Sequence, residues 1–207
     1  MSSSKIEDEC FVTMWFYLFS LFILWIAAWV FHGELSRAFP LYFASGSYGE
    51  NFYWWVMKAL LWLLPIFLIL KKEKRSLLDL FKSERSFKLS LFWGLASAVV
   101  WIALAGVLDK LMGKIFEAPI HALSLVGGVL VAPIVEEIAF RGFVLARLEG
   151  SFSKLSANLL TSLFFVLIHW VGWYFQGKLS LASLWDPSLL IFAFSLYAGL
   201  IKKKSTS

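Results

Sequence analysis

Long apolar runs, barely interrupted by charge, constrain this chain more than any other feature. The first runs from about Phe11 to Phe31 and the second from about Phe52 to Leu70. A third covers about Leu89 to Leu108, and a fourth about Ala118 to Leu148. A fifth spans about Leu155 to Phe175, and a sixth about Leu184 to Ile201. Stretches of about 18 apolar residues or more cross the roughly 30 Å of hydrocarbon in a bilayer. With 60% of its 207 residues apolar and 16% charged, the chain exceeds what one soluble core of this size can hide. The sequence predicts an all-α, polytopic membrane helical bundle of about six transmembrane helices, as a single integral membrane domain over 1–207.

Between the second and third runs lies KKEKRSLLDLFKSERSFK, with Leu77, Leu78, Leu80 and Phe81 among its charges. This reads as a short amphipathic helix at the membrane interface. The amino terminus, MSSSKIEDEC, is polar and acidic and lacks the basic start of a cleavable signal peptide. The first span is therefore expected to remain in place. A single cysteine, Cys10, permits no internal disulfide and reads as an ordinary residue.

The net charge of +5 does not point to nucleic acid, because the basic residues occupy short loops between apolar runs. With the amino terminus inside, 13 of the 19 Lys and Arg residues face the cytoplasm: Lys5, seven from Lys71 to Lys88, Arg147, Lys154 and the final three lysines. Four fall outside (Arg37, Lys110, Lys114 and Lys178), and Lys58 and Arg141 lie within spans. This bias places both termini in the cytoplasm, in what reads as a bacterial inner membrane. Tryptophans near span ends, such as Trp54, Trp55, Trp170, Trp173 and Trp185, fit interfacial anchoring.

Glu136, Glu137 and Arg141 sit inside the fourth run. Each ionisable group in a span costs about 2.5–3.5 kcal/mol on the insertion scale. Glu137 and Arg141, four apart, share a helical face and can pair. Glu136 points about 100° away and has no charge partner at helical spacing; Ala132, Pro133, Ala139 and Phe140 are its neighbours there. A carboxyl group so placed suits proton exchange near neutral pH. Structural ion pairing explains Glu137 and Arg141 well and Glu136 poorly.

The fifth run carries a polar face: Asn158, Ser162, Phe165 and His169 at i, i+4, i+7 and i+11, with Thr161 beside them. The break between the fourth and fifth helices, EGSFS, is centred near Phe152. Glu137 lies 15 residues before that point and His169 lies 17 after it. At 1.5 Å per residue, antiparallel helices place them within roughly 3 Å of the same depth. The carboxylates and the imidazole are thus expected to meet across a water-accessible cavity that touches Arg141 or Glu137.

VEEIAFRG resembles the EExxxR motif of the CPBP family, which includes CAAX prenyl endopeptidases and bacteriocin-processing or self-immunity proteins. FVLIH, Phe165 to His169, resembles that family's FxxxH motif, and ANLLTSLFFVLIHW has its usual texture. The resemblance is specific over about Leu130 to Trp170, within a family core of about 87–201. It implies an intramembrane glutamate-dependent protease. By motif position, Glu136 is the base that activates water, His169 helps to hold that water, and Glu137 and Arg141 form the supporting pair. The partners it implies are the lipid bilayer and a membrane-anchored peptide or protein substrate.

No metal or other cofactor is expected: His32 and His121 lie far along the chain, and His121 is 16 residues from Glu137, roughly 24 Å along a helix. The family's further span, with a histidine and an asparagine four residues later that would bind the oxyanion, has no counterpart in this sequence. Asn158, Ser188 and Ser195 are the remaining candidate donors, with Phe165 as support for the substrate. A shortened or truncated enzyme and a chain of this fold without protease activity, acting in bacteriocin immunity or as a scaffold, both stay open at this point. A transporter or proton relay also fits intramembrane carboxylates, but no inverted repeat is visible.

Overall fold

The computed structural model describes residues 3–80 and 126–206, and within them the chain is helical throughout its long elements. α1 covers Ser3–Ala38. α2 is a continuous helix over Tyr48–Lys72, α3 runs over 126–148, α4 is Lys154–Phe175, and α5 is Leu181–Thr206. Among the described residues, three helical segments are long and apolar enough to cross a membrane: Phe11–Ala38, Tyr48–Lys72 and Lys154–Phe175. The apolar part of α5, Pro187–Leu200, is shorter. The third expected span, and residues 118–125 of the fourth, lie outside the described residues. Of the expected interfacial helix, the described part forms a 3-10 turn at Leu77–Leu80, and residues 81–88 lie outside.

α1 shows how lipid and protein divide a helix. Met14, Tyr17, Leu18, Leu21, Trp25 and Ala28 recur at spacings of three and four and are buried, while Phe16, Phe19, Ile23 and Phe31 stay exposed. In water that outer face would be untenable. In hydrocarbon it costs nothing, because lipid tails are as apolar as the side chains. The inner face meets Trp62 of α2 and Phe143 of α3: Trp25 and Trp62 pack edge to face, as do Tyr17 and Phe143. The Tyr17 hydroxyl donates to the Trp62 carbonyl at 3.1 Å.

Helix directions follow from these contacts. Gly127 lies against Trp55, Glu136 meets Lys58, and Arg147 meets Glu73, so α2 and α3 run parallel. Phe11 meets Phe152, Trp15 meets Phe164, and Trp29 meets Phe175, so α1 and α4 are also parallel. Trp170 bonds Ser188 and Asn158 bonds Leu196, which makes α4 and α5 antiparallel.

Among the described residues, two close approaches between helices need glycine. A Cβ at Gly127 would come 2.7 Å from the Trp55 Nε1, and one at Gly199 would come 2.0 Å from the Asn158 Oδ1. The first lets α3 settle on α2, and the second lets α5 settle on α4. The turn between α3 and α4 falls where the EGSFS break predicts it. There the Ser153 hydroxyl caps α4 by accepting from the Ser156 amide at 3.2 Å.

Candidate active site

Pi-helical turns set the site's geometry. In α2, Lys58–Leu63 is π-helical; in α3, so are Gly127–Val131 and Glu137–Leu145. Lys58 opens the first of these segments and Glu137 opens the last. Such wide turns are rare and concentrate at functional sites.

The structure corrects the expectation that Glu136 lacks a charge partner. Lys58, 78 residues away on α2, donates its Nζ to Glu136 Oε1 at 2.6 Å, and the side chains are only 13% and 17% exposed. The Lys58 ammonium also lies over the Trp62 ring at 4.6 Å and the Trp25 ring at 5.9 Å. Aromatic faces and one carboxylate thus compensate this cation where it is withdrawn from solvent. Lys58 carried a signal of its own: it is a lone lysine mid-span, opposite a lone carboxylate in another span, and each such group seeks a partner.

Glu137 and Arg141 do pair, but loosely. Arg141 Nε stands 3.7 Å from Glu137 Oε2, and the Glu137 side chain is 50% exposed. The i,i+4 rule belongs to the α-helix, and this segment's π turns hold more residues each, so the two side chains are offset. Arg141, buried in the bundle, finds further support across the helix interfaces. Its guanidinium lies 4.5 Å from the Phe165 ring centroid on α4, and its Nη2 donates at 3.5 Å to the Ser195 carbonyl on α5.

Phe165 is the joint between the two motifs. One neighbour is Phe140, edge to face at 5.1 Å; another is the His169 ring, at 4.6 Å. His169 Nδ1 lies 2.6 Å from the Phe165 carbonyl oxygen. A carbonyl only accepts, so Nδ1 carries the hydrogen, and in the neutral ring Nε2 keeps its lone pair. His169 is hydrogen-bonded to neither glutamate, and among the described residues no three His, Cys, Asp or Glu side chains gather as a metal-ligand group.

The expected oxyanion donors divide three ways. Asn158 is committed to the bundle, its amide donating to the Leu196 carbonyl at 2.9 Å. Ser188 accepts from Trp170 Nε1 at 2.9 Å. The Ser195 hydroxyl is buried with no hydrogen-bond partner among the described residues, as is that of Ser162.

A cavity of about 640 Å³ opens beside the site, lined among others by Trp25, Trp29, His32, Glu50, Trp54 and Lys58. None of Glu136, Glu137, Arg141 and His169 lines this cavity, and Lys58 is its link to Glu136. The cavity reaches the helix ends near Ser45, Gln176 and Lys178.

Helices long and apolar enough to cross a membrane, joined around a half-buried carboxylate, a buried guanidinium and a half-buried imidazole, define a polytopic membrane protein. Residues 118–207 match the family described as type II CAAX prenyl endopeptidase Rce1-like. Both motifs fall inside this segment, and Lys58 falls outside it. No curated protein and no solved structure matches the chain.

Proposed function

We propose that this protein hydrolyses a peptide bond in a membrane-associated protein or peptide, with Glu136 as the base that activates water. The reading rests chiefly on one observation: the two motifs lock together through Arg141, Phe165 and His169, and the helix that carries Arg141 also carries Glu136, paired with Lys58. Glu136 takes a proton from water as the oxygen attacks the scissile carbonyl carbon. The tetrahedral intermediate then collapses, and the leaving amine takes that proton from Glu136. His169 offers Nε2 to the attacking water, while its Nδ1–H is held by the Phe165 carbonyl. Glu137 and Arg141 hold the helix that carries the base against α4 and α5.

Both termini lie in the cytoplasm on this reading, following the 13-to-4 distribution of basic residues. The matched family's name points to lipid-modified carboxy-terminal peptides as first probes. The test is turnover of a quenched-fluorescence, prenylated peptide by the protein in liposomes. Glu136→Gln should reduce turnover by about 10²-fold or more. Full turnover by that variant would eliminate the glutamate mechanism.

A further inference from the structure

We infer that Lys58 is a positioning residue of this site: it holds Glu136 as a carboxylate within the bundle, in the form that can accept a proton. The inference deepens the proposed hydrolytic role of Glu136 and assigns part of it to a helix outside the matched segment.

Three observations carry it. The first is the short contact, 2.6 Å between Nζ and Oε1, with both side chains largely withdrawn from solvent. A lone carboxyl group in a low-dielectric site is cheapest when protonated, and a protonated carboxyl is no base. An ammonium at hydrogen-bond distance reverses that preference. The second is the orientation of the lysine. The Trp62 and Trp25 rings lie 4.6 and 5.9 Å from its ammonium, and ring faces attract a cation. The third is the cavity. Lys58 lines it and Glu136 does not, so water reaching the base from this side meets Lys58 first. At about 30 Å³ per molecule, a cavity of about 640 Å³ has room for water next to the pair. Arg141, the other cation of the site, pairs with Glu137 and lies against Phe165 and the Ser195 carbonyl; its charge also acts on Glu136, but the hydrogen bond to that carboxylate comes from Lys58.

The charge state is measurable without any substrate, by infrared spectroscopy of the protein in liposomes. A protonated carboxyl has a carbonyl stretch well separated from that of a carboxylate. Lys58→Met should gain such a band relative to the wild type. The band should vanish in the double variant Lys58→Met/Glu136→Gln, which assigns it to Glu136. Lys58→Arg should show no gain. Near-ultraviolet circular dichroism establishes that each variant is folded, and the double variant keeps a folded reference if Lys58→Met alone is unstable. Turnover of the prenylated peptide should fall by about 10²-fold in Lys58→Met and be largely retained in Lys58→Arg.

No new band in folded Lys58→Met, or a band that survives Glu136→Gln, overturns the inference. So does Lys58→Met that gains the band yet keeps wild-type turnover while Glu136→Gln loses it. If the wild type fails to cleave the probe, or Glu136→Gln cleaves it normally, the hydrolytic reading falls, and the infrared result alone decides the role of Lys58.

Discussion

The two adjacent glutamates should differ in what they contribute to stability, in the opposite sense to that expected from their spacing. Sequence spacing makes Glu137 the structural member, paired with Arg141, and Glu136 the free one. In the bundle, Glu136 meets Lys58 at 2.6 Å with side chains 17% and 13% exposed, whereas Glu137 is 50% exposed and 3.7 Å from Arg141. Removing one member of a fully buried pair costs about 3–5 kcal/mol, because the other charge is stranded. Lys58 has the cavity on one side and aromatic faces on others, so Glu136→Gln should cost about 2–3 kcal/mol. Glu137→Gln should cost about 1 kcal/mol or less, as for an exposed pair, since Arg141 keeps Phe165 and the Ser195 carbonyl.

The assay is equilibrium unfolding in mixed micelles titrated with a denaturing detergent, on both variants, Lys58→Met and the Lys58→Met/Glu136→Gln double variant. The cycle should return a coupling of about 2 kcal/mol between positions 58 and 136. Additive effects, or a larger loss in Glu137→Gln than in Glu136→Gln, would refute this account of the pair. The activity of Glu136→Gln must accordingly be scaled to its folded fraction.

Three further outcomes are expected. Gly199→Ala drives a methyl group into Asn158 and should destabilise the α4–α5 contact by about 1–3 kcal/mol; Asn158→Ala in the same chain should relieve much of that in the same unfolding assay. Glu73→Gln breaks the two-oxygen contact with Arg147 at 2.7 and 2.8 Å and should cost about 1–3 kcal/mol, with Glu73→Asp costing less. Reporter fusions at Ser47 and Ser205 should report opposite sides of the membrane; the same side for both would overturn the proposed topology.

What the sequence made legible was local. Apolar runs placed α2, α4 and α5 to within about five residues at each end, whereas α1 begins eight residues before Phe11 and ends seven after Phe31; EGSFS marked the turn between α3 and α4. The polar face of α4 was legible too: Asn158, Ser162 and Phe165 are buried at the spacing that predicted it, and His169 is half-buried. The Lys58–Glu136 pair was not legible, because no periodicity links residues on helices that touch only in three dimensions. Both charges were visible as costly residues in separate spans, but the register of α2 on α3 depends on Gly127 and on packing. The π turns were hidden as well, since helical-wheel reasoning assumes 3.6 residues per turn. That assumption made the Glu137–Arg141 pair look tighter than it is. Asn158 looked available because a backbone carbonyl on another helix, that of Leu196, leaves no mark in a sequence.

The same irregularity that misled the wheel explains how the pair forms. Pro65 and Pro133 each sit near the start of a regular helical segment, and each follows directly on a π-helical one: Lys58–Leu63 before Pro65, and Gly127–Val131 before Pro133. Proline has no N–H to donate, and its ring presses on the carbonyl four residues back. A wider turn ahead of it clears that carbonyl without ending the helix. Lys58 begins one of these turns, and Glu136 ends the short regular segment that carries Pro133. The angular positions of both side chains are therefore set by a proline-linked turn. In a bilayer no water competes for backbone groups freed by such a turn, and the Tyr17 hydroxyl takes the Trp62 carbonyl within the π segment of α2. An irregular helix, stabilised by its neighbours, thus brings a lysine and a glutamate 78 residues apart into contact.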